Sequence, residues 1–148
     1  MGYIPIFVAL LGVVVLYSVY NLNLIKPRKA KITAIIKKMA ELSSKRKFLI
    51  LKTTEKNENS PLLPAAKALK KTSTDQFQSY KKEEELIDTI KSCLDSLDAS
   101  DEKKELIEIN DAQEQLMKQL KSAAKDYNNM ISAPPASVLA SVFGYRKF

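Results

Sequence analysis

The stretch YIPIFVALLGVVVLYSVYNLNLI, residues 3–25, contains no Asp, Glu, Lys, Arg or His, and everything after it is polar by comparison. At ~1.5 Å of helical rise per residue, about 20 apolar residues cross a ~30 Å hydrocarbon layer, and this run is longer than that. A secretory signal would carry an apolar stretch of only ~7–15 residues, a basic start and a small-residue cleavage site. Here Met1-Gly2-Tyr3 has no basic side chain and no Ala-x-Ala follows, so the stretch reads as an uncleaved anchor. Pro5 falls in the first turn, where its missing amide hydrogen costs little. Tyr17 and Tyr20 fall near the far end, where a phenol can keep its hydroxyl among head groups. No ionisable residue lies inside the span, which argues against a pore or a relay. Small residues do not recur four apart, as a tight helix dimer in lipid would show.

Outward from the span, the charge is uneven. Ten basic residues (Lys26, Arg28, Lys29, Lys31, Lys37, Lys38, Lys45, Arg46, Lys47, Lys52) face one acidic residue, Glu41, while residues 53–148 hold 14 basic and 16 acidic. The chain's net charge of +7 is thus a collar beside the membrane. Basic residues flanking a span stay on the cytoplasmic side, so the expected topology is an outside N-terminus and a cytoplasmic bulk, in a cell (inner) membrane. Lys26, Arg28, Lys29 and Lys31 are the expected membrane-surface contacts, each adding about 1 kcal/mol of attraction to anionic lipid before screening. Nucleic acid is not an expected partner, because aromatic interleaving and groove-reading motifs are missing.

Composition narrows the remainder. With 148 residues and one span, there is room for one small domain. Three Gly and abundant Ala, Leu, Ile, Lys and Glu favour helices. The single cysteine, Cys93, sits among Leu86, Ile87, Ile90, Leu94 and Leu97 and reads as a small core hydrophobe. A chain without His lacks the commonest general base and metal ligand. No catalytic, cofactor-binding or metal-binding residues are expected, and no small-molecule substrate is evident. The acidic clusters Glu83-Glu84-Glu85 and Asp101-Glu102 lack the Glu-x-x-His partners of a bundle metal site.

Along the chain, Pro27 predicts a kink or break after the anchor. Ile32, Ile35, Ile36, Met39, Leu42, Arg46 and Leu49 recur at helical steps to about Lys52. Residues 48–52, FLILK, could be a strand, but a lone five-residue strand has no partner, so the helix is retained. Residues 53–60, TTEKNENS, read as a loop, and Ser60-Pro61 as a helix start. Residues 71–75 supply another break before a helix over 76–97, whose Glu83-Glu84-Glu85 run reads as a solvated face. Ser100 with Asp101 and Glu102 is the clearest helix cap. Leu106, Ile109, Gln113, Leu116, Leu120, Ala123, Tyr127 and Met130 then mark a long helix with a coiled-coil seam, in which Gln113 is the register-setting polar residue. The expected fold is all-α: an N-terminal transmembrane helix followed by an antiparallel helical bundle. The expected divisions are an anchor at 1–26, a bundle at 27–133 and an apolar, basic tail at 134–148.

At the C-terminus, Tyr127, Asn128, Ile131, Pro135, Ala140, Phe143, Gly144 and Tyr145, followed by Arg146 and Lys147, resemble the closing motif of the LemA family of bacterial membrane proteins. Tyr20-Asn21 after the span is similar to a pair the family carries there. The close match covers about twenty residues. In the middle, the family's Ile-Asp-Val-Gln-Leu-Lys-Arg-Arg segment is replaced by IIKKMAELSSKRKFLI, and its Tyr-Pro region is absent. The resemblance implies an anchor, an antiparallel bundle and no catalytic residues. For the tail two readings stay open: packing over the end of the bundle, or lying on the membrane with Phe143, Tyr145 and Phe148 at head groups. The expected function is a non-enzymatic, single-pass scaffold or protein-interaction module on the cytoplasmic face. The alternative is an accessory or regulatory subunit of an envelope stress, protease or transport complex. Partners are the lipid bilayer and, through the helical seams, other proteins or a second copy.

Overall fold

A computed structural model describes residues 3–56, 60–71, 77, 79–97, 99–134 and 136–148. The regular structure is helical throughout: α1 (Ile4–Lys56), α2 (Leu63–Lys70), α3 (Tyr80–Asp95), α4 (Asp101–Ser132) and α5 (Ala136–Val142), with no strand among the described residues. The all-α architecture expected from composition and periodicity is the one found. Residues 48–52 lie inside α1, as their place in its apolar stripe requires.

Several boundaries differ from the sequence reading. Of the kink or break expected at Pro27, the break is absent: α1 runs unbroken for 53 residues with Pro27 inside it. Proline removes one donor and leaves the Asn23 carbonyl without its usual partner. Asn23 and Pro27 are both exposed, so that carbonyl can be solvated, and Arg28 Nη1 donates to the next carbonyl, Leu24 O, at 3.0 Å. The loop expected from residue 53 begins later, because α1 continues to Lys56. There Thr53 and Thr54 return their hydroxyls to Leu49 O and Ile50 O at 2.9 Å each, which removes the competition threonines otherwise offer a helix. Residues 57–59, 72–76, 98 and 135, on which parts of the expected loop, breaks and tail fall, lie outside the described residues.

Ser60 does not cap α2 directly. Its Oγ accepts from Leu62 N–H at 3.3 Å and its carbonyl from Leu63 N–H at 3.1 Å, forming the turn that precedes the helix. Ser100 caps α4 as its sequence suggests: Lys103 N–H donates to its Oγ at 3.1 Å. α3 starts at Tyr80.

By internal contacts the chain forms two compact units, Met1–Thr33 with Lys121–Phe148, and Ala34–Leu120. The stretches read as anchor and tail both belong to the first. In the second, the core gathers Ile50, Leu62, Ala65, Ala66, Leu69, Ile90, Leu94 and Leu106, with Cys93 packed against it as a small hydrophobe. Each large aliphatic side chain buried there contributes about 1.5–3 kcal/mol before entropy is counted. Within this unit α1 and α4 are antiparallel. Gln113 reaches Met39 and Ser43, Asn110 meets Arg46, and Glu102 meets Lys56, so numbers rise on one helix as they fall on the other.

The buried stripe of α4 is wider than a two-position seam. Leu106, Gln113, Leu120 and Tyr127 recur every seven residues and are fully or almost fully buried, and so do Asn110, Met117, Ala124 and Ile131 beside them. Leu116 and Met130, expected in the seam, are only partly buried. A helix in a bundle meets more than one neighbour and buries a broad face, where a coiled-coil dimer buries a narrow one. In α1 the line Ile25, Ile32, Met39 and Arg46 keeps the same seven-residue period.

Candidate functional site

Two places bring chemically distinctive residues together, one in each unit. In the first unit, the chain folds back on α4 after α5. Gly144 adopts φ +68°, a left-handed conformation that a Cβ would strain, and Tyr145 N–H then donates to Ala140 O at 2.8 Å. This C-cap turns the last residues onto α4. The Asn128 side-chain amide pairs with the backbone of Phe148 on both sides: Nδ2 donates to Phe148 O at 2.9 Å and Oδ1 accepts from Phe148 N–H at 3.0 Å. The Tyr127 ring lies edge-on to Phe148 at 5.7 Å, and Lys29 Nζ sits over the Tyr145 ring at 5.1 Å. Burial, and secondarily the neighbouring Tyr145, push the Tyr127 hydroxyl above its ordinary pKa, and that hydroxyl has no hydrogen-bond partner.

The motif residues therefore divide by role. Tyr127, Ile131 and Ala140 are buried, Asn128 and Tyr145 hold the tail, Gly144 turns it, and Phe143 points outward. Pro135 lies outside the described residues. Of the basic residues expected at a membrane surface, Lys26, Arg28, Lys29 and Lys31 are all exposed, with Lys29 and Arg28 also engaged by Tyr145 and by Leu24 O. The pairing of Lys29 with Tyr145 and the clamp on Phe148 both join residues far apart in the chain, so no local pattern in the sequence marks them.

In the second unit a polar layer interrupts the apolar core. Arg46 is completely buried; its Nη2 pairs with Glu83 Oε1 at 2.6 Å and its Nη1 donates to Asn110 Oδ1 at 3.1 Å. Gln113 Nε2 donates to Glu83 Oε1 and to Ser43 Oγ, each at 3.0 Å, and Asn110 Nδ2 donates to Ile87 O at 3.3 Å. The solvated-face reading of Glu83-Glu84-Glu85 is thus corrected at its first residue: Glu83 turns inward because Arg46 needs a counter-charge, while Glu84 and Glu85 are exposed. Gln113 occupies the polar seam position its sequence marks. Arg46 Nε and Gln113 Oε1 remain without partners.

This layer is built to lock helices in register, with little capacity for reaction. Arginine does not give up its proton in proteins, and the one carboxylate present is already bonded to Arg46 and Gln113. Among the described residues no cluster of three or more His, Cys, Asp or Glu could hold a metal ion. The clearest functional feature is charge. The first unit holds eight basic residues against Asp126 alone, so it carries the whole +7, while the second holds sixteen of each sign.

Compared with protein-family models, with curated proteins and with solved structures, the chain matches none.

Proposed function

We propose that this chain is a non-enzymatic, single-pass membrane scaffold, anchored by the first part of α1 and presenting its helices on the cytoplasmic side, as a divergent relative of the LemA family. The observation that supports it most is the apolar run of α1. α1 is long and apolar enough to cross a membrane, and only 6% of its most apolar window is buried by the rest of the chain. Tyr3 to Tyr20 present Ile, Val, Leu and Phe side chains outward with almost no protein cover. Leaving that surface in water would cost ~25 cal/mol per Å2 of apolar area, whereas a bilayer covers it without further structure. The collar that follows fits a positive flank at an anionic inner surface.

Partner proteins would meet exposed side chains, because the heptad lines of α1 and α4 are buried within the chain. Phe48 and Ile107 are the large exposed apolar residues of the second unit and suit such contacts.

The test is membrane extraction combined with labelling. The full chain in native membranes is expected to resist alkaline carbonate and dissolve only in detergent. A cysteine introduced at Lys56 should escape an impermeant reagent in intact cells and react after lysis. Release by carbonate, or labelling in intact cells, would overturn the anchor or its orientation respectively.

A further inference from the structure

We propose that α5 is a second lipid contact, resting in the head-group layer of the same membrane that α1 enters; this rests on the anchor reading above. The first observation is the way α5 distributes its side chains. It buries its small residues, Ala136 and Ala140, leaves Leu139 partly buried, and turns its valines outward, Val138 64% exposed and Val142 73%, with Phe143 just past its end at 56%. A surface helix of a water-bathed bundle does the reverse, since burying valine gains more than burying alanine. The inversion is what a lipid-facing surface requires.

The second observation is position. Tyr145, held to Ala140 by the Gly144 turn, lies against Lys29. Lys29 follows Ile25, the last residue of the uncharged run, by four residues, or ~6 Å of helix. That offset matches the thickness of one head-group layer, ~5–8 Å. Protein cover over α1 also begins early, at Asn21 and Ile25, and the remainder of this unit is Lys121–Phe148. The C-terminal segment therefore closes over α1 where the span would leave the hydrocarbon.

The third observation is charge. Arg146 and Lys147, which follow Tyr145 directly, are exposed, as are Lys26, Arg28 and Lys31 on either side of Lys29 in the chain, and residues 133–148 contain no acid. Exposed valines and a phenylalanine rimmed by cations fit an interface of acyl chains and anionic phosphates. The structure thus joins both sequence readings of the tail: Tyr145 and Phe148 hold it to the protein, and α5 offers its outer face to lipid.

The chain contains no tryptophan, so a single introduced one reports without background. Three full-length variants, Leu11→Trp, Val142→Trp and Lys104→Trp, would be reconstituted in phosphatidylcholine–phosphatidylglycerol vesicles with and without brominated acyl chains. All three positions are exposed, so the fold should tolerate each change. Expected are strong quenching at Leu11, blue-shifted and partly quenched emission at Val142, and neither at Lys104. The double change Arg146→Glu with Lys147→Glu should lower quenching at Val142 and leave Leu11 untouched. Quenching at Leu11 with Val142 behaving like Lys104 would overturn the proposal while the anchor stands. Blue-shifted but unquenched emission at Val142 would put protein, such as a second copy, over α5 and also overturn it. Loss of quenching at Leu11 would remove the anchor and this proposal together.

Discussion

Tyr127 shows how a single buried group can set a pH limit. Its hydroxyl is held above its ordinary pKa by burial, so in the unfolded chain it ionises first as pH rises. Its ionisation therefore leaves folding stability untouched below the unfolded value of ~10 and lowers it as pH climbs from there to the folded value. Tyr127→Phe keeps the edge contact with Phe148 and removes the unpartnered hydroxyl. It should raise the unfolding free energy by about 1 kcal/mol at neutral pH and flatten the alkaline loss, as measured by thermal unfolding of the full chain in detergent. Gly144 makes the opposite point. Open space surrounds its Cα, so a methyl would meet no neighbour, but φ +68° makes any side chain strained. Gly144→Ala should cost about 1 kcal/mol and speed amide exchange at Tyr145, whose N–H closes the turn.

At the scale of the helices, the Arg46 layer decides which faces of α1, α3 and α4 meet. Seven-residue spacing alone would allow α1 to slide against α4 by a heptad, and a buried ion pair with matched amides permits one alignment. Arg46→Met should destabilise the fold by about 3–5 kcal/mol, because Glu83 and Asn110 would lose their partner in a mostly dry site. Arg46→Met with Glu83→Leu should recover much of that loss, and the coupling read from a double-mutant cycle checks it. By contrast, the exposed pairs Lys56 with Glu102 and Lys118 with Glu114 hold both carboxyls below the usual carboxylate range while being open to solvent. What little stability these two pairs add is present at neutral pH and fades as acid protonates the carboxylates.

At the scale of the molecule, the terminal segments belong to one unit, so the tail is a structural part of the anchor region. Removing residues 133–148 would strip Phe148 and Tyr145 from Tyr127 and Lys29. The expected result is a lower melting temperature and faster exchange in the last turns of α4, with the Arg46 layer unchanged. A truncated chain as stable as the full one would show that the tail only rests on the surface.

The all-helical fold, the apolar run, the collar and the heptads of α4 follow from local rules: hydropathy, charge order and periodicity act within a few residues of each other. The same rules allowed a break at Pro27 that does not occur, since exposure to solvent makes an interior proline tolerable, and exposure is decided by the whole fold. Asn110, with Met117 and Ala124, was missed because the period of a helix does not say which flank a neighbour will cover. The inward turn of Glu83 needed Arg46 thirty-seven residues away, and the clasp at Phe148 needed Asn128 twenty away. A lone carboxylate is cheapest in water and a lone C-terminal segment has nothing to hold. Only when folding sets a buried cation and a free amide beside them does the balance reverse.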